Sequence, residues 1–299
     1  MQTQELIDPV CAYADHHRDS QESGLELYAT GLAGLTILRS CQPTALEAVL
    51  YQPLFCLILQ GAKETHLGMR RISFAAGESL IVSHQLPVTS RITEATESIP
   101  YVALVLELDM GIVRSLYEEV SEVEVEQEQA RALNVGKTDK ALLSAMGRLV
   151  DLIERPIEAK VILPLVQREI HFRLLLAQHG SMLRQLLRRG SHADRIAKAI
   201  ARIRQNYANP ITVAELAKVA GLSPSSFHEH FKVLTATTPL QYQKELRLLE
   251  ARQFLMDGTH NVSSAAFEVG YESPTQFSRE YSRKFGNSPR QDLAKYAQK

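Results

Sequence analysis

Hydrophobic and polar positions divide the chain into three stretches that differ in periodicity. In the first, residues 24–108, short apolar runs alternate with turn residues such as Gly61, Gly68 and Pro87. We predict strands over residues 31–38, 54–60, 79–84, 88–93 and 101–108. Short strands at this spacing, separated by turns, are typical of a small β-sandwich or β-barrel.

The second stretch, residues 109–189, has the period of a helix. Its apolar residues Leu142, Met146, Leu149 and Ile153 recur three or four positions apart and form one stripe. They predict a helix over residues 139–153, and Pro156 marks its end. A second helix is predicted over residues 158–178, followed by a polar linker over residues 188–192.

The third stretch, from residue 193, is helical throughout and contains an internal repeat. Before a predicted turn the offset is 49 residues, and it matches Val213, Ala217 and Gly221 to Val262, Ala266 and Gly270. After the turn the offset is 50 residues, and it matches Ser223, Pro224, Phe227 and Pro239 to Ser273, Pro274, Phe277 and Pro289. The chain therefore carries two copies of one helical unit, and Glu272 is the natural extra residue of the second.

Each copy predicts a helix, a tight turn and a second helix. In the first copy, Thr212 and Glu215 form a capping box that begins the first helix. Gly221 stands where the chain must reverse, a position that requires a positive φ. Ser223 and Pro224 then begin the second helix as N-cap and first helical residue. Few positions of each second helix stay exposed, and in a DNA-binding unit these face the major groove.

A scaffold of helical hairpins is the alternative for this repeat. Such arrays need about three copies to bury a continuous core. This chain has two copies, joined by a long helix predicted over residues 240–256. The pattern therefore favours a double helix-turn-helix that binds DNA.

Two segments carry a resemblance to a known family: TVAELAKVAGLSPSSFHEHFK and VSSAAFEVGYESPTQFSREYSRKFGNSP. They resemble the two helix-turn-helix motifs of the AraC/XylS family of bacterial transcription regulators. The resemblance implies a seven-helix DNA-binding domain, here residues 190–299. Its two recognition helices enter successive major grooves of double-stranded DNA, about 34 Å apart.

The resemblance also implies which residues contact DNA. The base-contacting positions of the family motif fall on Ser225, His228, Glu229, Thr275, Gln276 and Arg279. Glutamine suits adenine, arginine suits guanine, and a glutamate accepts from cytosine unless it is simply solvated. Phosphate contacts are expected from Ser223, Lys232, Ser273, Arg283 and Lys284.

Residues 1–189 resemble the N-terminal domain of one AraC subgroup, through PLFCLILQGAKETHLG, IPYVALVLELD and LPLVQREIHFRLLL. The resemblance implies a cupin-like β-barrel followed by helices, which makes the whole protein α+β. Such domains bind a small effector or assemble dimers. Residues that are candidates for an effector pocket are Arg39, Cys56, Glu64, His66, His84 and Tyr101.

Some readings of the N-terminal half stay open. Each pocket candidate has a structural alternative, and for Cys56 that alternative is a buried, inert thiol. The helix over residues 139–153 forms either a homodimer seam or a contact with its own barrel. No HxH pair lies in the predicted strands, so no metal, cofactor or enzymatic activity is expected.

Composition and charge fit this division. Residues 190–299 hold 15 Lys and Arg against 10 Asp and Glu, a net charge of +5, whereas residues 1–189 carry −6. A basic module joined to an acidic one suits a nucleic-acid-binding half attached to a different half. With no signal peptide, no long apolar run and three unpaired cysteines, we expect a cytoplasmic protein without a membrane span.

Three functions are compatible with these features. The first is an effector-responsive regulator that binds DNA, either as a dimer or with RNA polymerase as a further partner. The second is a constitutive DNA-binding regulator whose N-terminal half only dimerises. The third is a cupin-type enzyme fused to a DNA-binding module, which the missing metal ligands disfavour.

Overall fold

The computed structural model describes residues 3–17, 24–120 and 131–296. The strands of its N-terminal half are β1 (Glu26–Ala29), β2 (Leu35–Ser40), β3 (Glu47–Tyr51), β4 (Leu54–Gln60), β5 (Ala62–Leu67), β6 (Arg70–Ala75), β7 (Glu78–Val82), β8 (Leu86–Glu94), β9 (Tyr101–Glu107) and β10 (Leu133–Lys137). The helices of this half are α1 (Gln4–His16), α2 (Met110–Glu119), α3 (Lys140–Asp151), α4 (Pro156–Leu176) and α5 (Ser181–Leu187).

The strands form two antiparallel sheets. One has the order β1-β2-β9-β4-β7-β10, and the other has the order β3-β8-β5-β6. Side chains of β4 alternate between two cores, because successive residues of a strand point to opposite faces. Phe55 and Leu57 pack against the helices α1, α3 and α4, whereas Cys56 and Ile58 belong to a second core that includes residues of both sheets.

The predicted α+β class is confirmed, and four of the five predicted strands lie close to their expected ranges; the strand predicted over residues 31–38 begins only at Leu35. The strand predicted over residues 54–60 coincides with β4, and the one over residues 101–108 with β9. The hairpin β5–β6 was not predicted. Its segments AKETHL and RRISFA each carry two adjacent charged residues and lack the apolar run of a fully buried strand.

Helix α3 packs on its own domain. Leu142, Met146 and Leu149 are fully buried in the core shared with α1 and α4, and Asp139 caps the helix. Of the two alternatives for this helix, the structure shows the contact with its own domain, and no apolar face of α3 is left over for a second copy. The exposed apolar row lies on α4 instead, where Ile157, Val161 and Leu165 are 83%, 68% and 63% exposed.

The C-terminal half is entirely helical and has the seven helices expected between residues 192 and 296. They are α6 (His192–Gln205), α7 (Val213–Ala220), α8 (Pro224–Thr235), α9 (Pro239–Met256), α10 (Val262–Glu268), α11 (Pro274–Phe285) and α12 (Pro289–Tyr296). The pairs α7–α8 and α10–α11 are the two repeated units. The long helix α9 connects them.

The two halves share one apolar core. Tyr101 of the barrel and Phe231 of α8 belong to the same buried cluster. The Tyr242 hydroxyl of α9 donates to the carbonyl of Gln85 over 2.7 Å. A tight approach lies at the β5–β6 turn, where a Cβ on Gly68 would overlap the backbone of Ala236, which itself has a φ of 55°.

None of the described helices is long and apolar enough to cross a membrane.

Candidate nucleic-acid interface

The first helix-turn-helix unit has the local geometry that its sequence predicts. The Glu215 amide donates to the Thr212 side chain over 3.2 Å, and the Glu215 carboxylate accepts from the Thr212 amide over 2.9 Å. Gly221 has a φ of 63° at the end of α7. Ser223 caps α8, and Pro224 is its first residue. Both ends of the turn are therefore fixed by capping and glycine conformation.

Helix α8 presents a polar face to solvent. Phe227 and Phe231 are fully buried against the first unit. On the opposite side, the predicted base-contacting residues Ser225, His228 and Glu229 and the predicted phosphate contact Lys232 are all exposed. His230 points elsewhere, because its ring stacks on His192 of α6 with centroids 3.6 Å apart.

Helix α11 repeats this arrangement in the second unit. Phe277 and Tyr281 are fully buried. The exposed residues of its outer face are Thr275, Gln276, Arg279 and Arg283. Gln276 lies one turn before Glu280, whose carboxylate accepts from its side-chain amide over 3.5 Å. All six predicted base-contacting residues are thus on open faces of α8 and α11.

Lys284 differs from the other predicted phosphate contacts. It is half-buried, and its ammonium lies 3.2 Å from the Glu245 carboxylate of α9. Lys244 and Glu280 form a second ion pair between the same two helices, with a separation of 3.0 Å. Burial raises the pKa of Glu280, but its bonds to Lys244 and to the Tyr271 hydroxyl lower it more. Lys284 therefore holds α11 on α9.

Ser223 and Ser273 use their hydroxyls as helix caps. The Ser223 hydroxyl accepts from the Ser226 amide over 3.3 Å, and the Ser273 hydroxyl accepts from the Gln276 amide over 3.4 Å. A phosphate at either helix start would therefore meet the remaining backbone N–H groups of the first turn and not these caps alone.

Arg247 of α9 connects the two units. Its guanidinium donates to the carbonyls of Tyr207, Ala208 and Asn209, which follow α6, over 2.6 to 3.1 Å. It also donates to the carbonyl of Gly270, in the turn of the second unit, over 3.1 Å. Because one planar group satisfies carbonyls of both units, it fixes their relative placement.

Gly270 completes this junction. It has a φ of 86°, and a Cβ there would overlap the carbonyl of Ala208. The turn of the second unit is therefore pressed against the end of α6.

The predicted effector-pocket residues do not lie together. Cys56 and Tyr101 both belong to the core that includes residues of both sheets, where burial raises the pKa of both groups. They lie near Lys63, which is 6% exposed and forms no ion pair in the described part of the chain. The Lys63 ammonium lies 5.5 Å from the centre of the Tyr51 ring, a cation–π contact.

The other four pocket candidates are engaged elsewhere. Arg39 pairs with Asp15 of α1. Glu64 pairs with His66, Arg71 and Arg91. The His84 ring lies 2.7 Å from the Ser83 hydroxyl, and burial lowers the pKa of His84 to about 4.

Sequence reasoning did not single out Arg247 or Lys63. Arg247 has a detectable signal, because it is a charged residue among the apolar, buried positions Leu246, Leu248 and Leu249. Lys63, Thr65 and Leu67 lie on the same side of β5. Because β5 was not predicted as a strand, the sequence did not indicate that Lys63 shares this side with Leu67. Within residues 3–17, 24–120 and 131–296, no group of three or more His, Cys, Asp or Glu residues is arranged to hold a metal.

Comparisons with known proteins cover both halves. A sequence profile of the N-terminus of AraC-type transcriptional regulators matches residues 31–182, and a helix-turn-helix domain profile matches residues 216–295. The transcriptional activator RhaS of Escherichia fergusonii is 28% identical over 52% of this chain and 55% of that protein. The transcriptional regulator ArgR of Pseudomonas aeruginosa is 32% identical over 35% of this chain and 32% of that protein. The matches thus span about half or less of these curated relatives.

A solved structure extends the likeness to nearly the whole chain. Fatty-acid-bound ToxT of Vibrio cholerae has a TM-score of 0.57, with 92% of this chain and 97% of that chain covered. The two sequences are 9% identical, so this likeness concerns the fold alone.

Proposed function

The chain belongs to the AraC-type transcriptional regulators, and on this premise we propose that it is a sequence-specific DNA-binding regulator that responds to a small molecule. The observation that carries the proposal is the pair of open polar faces on α8 and α11. They belong to two units whose relative placement Arg247 fixes. Exposed polar side chains on two such helices suit two successive major grooves of double-stranded DNA.

The second unit supplies most of the base reading. Gln276 suits the paired donor and acceptor of adenine, and Arg279 suits the two acceptors of guanine. Thr275 adds a contact at the start of α11. In the first unit, Ser225 and His228 approach bases, and Glu229 accepts from a cytosine amino group.

Phosphate contacts fix the register of the complex. Lys232 and Arg283 are exposed near the ends of α8 and α11, and the helix starts at Ser223 and Ser273 offer backbone N–H groups. We leave Lys284 out of this set, because its ammonium is bonded to Glu245.

The N-terminal half receives the signal, and residue 190 divides the two functions. The short connection between α5 and α6 supports this boundary, as does the Ser191 cap that begins α6. We propose no catalytic step for either half. RNA polymerase is a further partner for a regulator of this kind.

A second copy of the chain is the other proposed partner. We assign the dimer contact to α4 and not to α3. Ile157, Val161 and Leu165 lie one turn apart and form an exposed apolar row, which a second copy would cover. Sedimentation velocity of the purified protein tests this contact. A monomer at all micromolar concentrations would contradict it.

Loss of one base-reading side chain tests the DNA proposal. Arg279→Ala is expected to weaken binding to sites recovered by genome-wide binding by about 1–3 kcal/mol and to relax the preference at one base pair. Arg283→Ala is the control, because loss of a phosphate contact weakens specific and random DNA alike. Fluorescence anisotropy with both DNA types measures this. If Arg279→Ala behaves like the control, the assignment of α11 to the major groove is wrong.

A further inference from the structure

A cavity of about 600 Å³ lies beside the large sheet, away from the recognition helices. Its walls are the strand β10, the 3-10 turn Gln178–Gly180 and the first turns of α5. Small-molecule sites in proteins commonly have volumes of about 300–1,000 Å³. The cavity is therefore large enough for a metabolite.

The lining of this cavity is polar and positively charged. Arg131 and Lys137 stand just before and at the end of β10, and neither forms an ion pair with any residue in the described part of the chain. Burial lowers the pKa of Arg70, and the positive charge of Arg131 lowers it further. Among the described residues, the lining contains no Asp or Glu. It therefore favours an anion.

His179 adds a buried imidazole, with 4% of its surface exposed. Nε2 of His179 lies 2.9 Å from the Ser79 hydroxyl, which itself accepts from the Thr138 hydroxyl over 2.8 Å. Burial lowers the pKa of His179, which favours the neutral ring. Its other nitrogen, Nδ1, has no hydrogen-bond partner in the described residues.

The shape of the cavity selects among anions. The His179 ring lies so close to β10 that a Cβ on Gly136 would overlap it, so this ring packs directly on the strand that forms one wall. The backbone of a DNA duplex cannot enter a space of about 600 Å³. Amide side chains of Asn134, Gln178 and Gln185 complete the lining and suit hydroxyl or carbonyl groups.

Both walls of the cavity continue into the first DNA-binding unit. The amide of Ala132, next to Arg131, donates to the carbonyl of Leu234 in α8 over 3.0 Å. The carbonyl of Gln185 accepts from the hydroxyl of Ser191, the cap of α6, over 2.5 Å. A ligand that moves β10 against α5 therefore acts on α8 and α6 through single hydrogen bonds.

We propose that this cavity binds a small hydrophilic organic anion, a phosphate- or carboxylate-bearing metabolite, and that its occupancy changes the placement of the first helix-turn-helix unit. The inference rests on the proposed function and names the site and the chemical class of its effector.

Calorimetric titration of the full chain without DNA tests the site. The probes are inorganic phosphate, glucose 6-phosphate and citrate, with glucose as the uncharged control. At least one anion binds saturably and glucose does not. The double variant Arg131→Gln/Lys137→Gln weakens that binding at least tenfold, because it removes both cations. The matched variant Lys140→Gln/Lys160→Gln changes net charge equally, at exposed positions outside the lining, and leaves the Kd within twofold.

The outcomes distinguish a phosphate from a carboxylate ligand, and they test the anion site separately from the DNA-binding function. The probe that binds most tightly shows whether phosphate or carboxylate is recognised. Binding by none of the anions, or an unchanged Kd in the cavity variant, overturns the site. The bound anion also changes the affinity of the wild type for its DNA site at least threefold, and an unchanged affinity overturns the coupling. DNA binding without anion binding contradicts this inference alone, whereas anion binding without specific DNA binding contradicts the proposed function.

Discussion

Gly270 occupies a position that requires both a positive φ and the absence of a side chain. Its φ of 86° disfavours any side chain, and the carbonyl of Ala208 occupies the space that a Cβ would need. Gly221 holds the same position in the first unit, with a φ of 63° but open space around it. A side chain at Gly221 would therefore cause backbone strain alone, whereas a side chain at Gly270 would cause both backbone strain and a steric overlap.

Gly270→Ala is expected to lower the free energy of unfolding by at least 2 kcal/mol, since strain and overlap add. Gly221→Ala is the matched control and should cost about 1 kcal/mol, the strain of the left-handed conformation alone. Chemical denaturation of both variants measures the difference. Equal losses would show that the second turn is not pressed against α6.

At this scale the sequence predicted what local rules determine. The capping box at Thr212 and the reversal at Gly221 follow from neighbouring residues, and both predictions are confirmed. The partners of Arg247 and Lys284 were not predictable, because they come from residues 23 to 40 positions away. Of the partners of Glu64, only Arg91 is similarly distant in sequence; His66 lies on the same strand and Arg71 on the adjacent one.

At the scale of elements, α9 determines how the two reading helices are presented. It is bonded to α11 by two ion pairs, and Arg247 bonds it to the end of α6 and to the second turn. Arg247 is a positioning residue, since it lies away from the exposed faces that would meet DNA. Substitution of Arg247 should therefore change how strongly the protein distinguishes DNA sites whose two halves are differently spaced.

We expect Arg247→Lys to lose discrimination between a DNA site with native spacing and one with 5 bp inserted between its halves. The insertion turns the second half to the opposite face of the duplex, so the wild type should bind it at least tenfold more weakly. Lysine lacks the planar guanidinium that donates to carbonyls of both units at once. The ratio of the affinities for the native and the inserted site should therefore shrink at least threefold. Anisotropy titrations measure both ratios.

Arg202→Lys, an exposed change on α6, should keep the wild-type ratio. A variant of Arg247 that binds both sites more weakly, with the ratio unchanged, would mean that the residue only stabilises the fold. A thermal melt of each variant separates loss of folding from loss of discrimination.

Elements were predicted best where apolar residues are dense. Strand β4 and helices α3 and α9 match their predicted ranges closely. The use of α3 was not decidable, because an apolar stripe has the same pattern whether a second chain or the same barrel covers it. Strand β10 has the sequence LNVGK, which is too short and too mixed to predict alone.

At the scale of the whole molecule, the barrel and the first DNA-binding unit are one folded body. Their buried residues form a continuous cluster, and the Tyr242 hydroxyl donates to the carbonyl of Gln85 inside it. This junction was beyond sequence reasoning, which treats each half by its own periodicity. This hydrogen bond joins the barrel directly to α9.

Tyr242→Phe is expected to lower the free energy of unfolding by about 1–2 kcal/mol, because the buried Gln85 carbonyl loses its donor. Tyr207→Phe is the control, since the Tyr207 hydroxyl has no hydrogen bond in the described part of the chain and its removal should cost less than about 0.5 kcal/mol. Denaturation of the full chain compares the two. A cost for Tyr242→Phe no larger than the control would show that the junction contributes little.

The central claim is that one chain reads DNA through two helix-turn-helix units held at a fixed separation. Methylation interference on a recovered genomic site tests it most directly, because methylation of guanine N7 reports major-groove contacts base by base. We predict two blocks of interference on one face of the duplex, centred about 10 bp apart. A single block, or two blocks on opposite faces, would contradict the account.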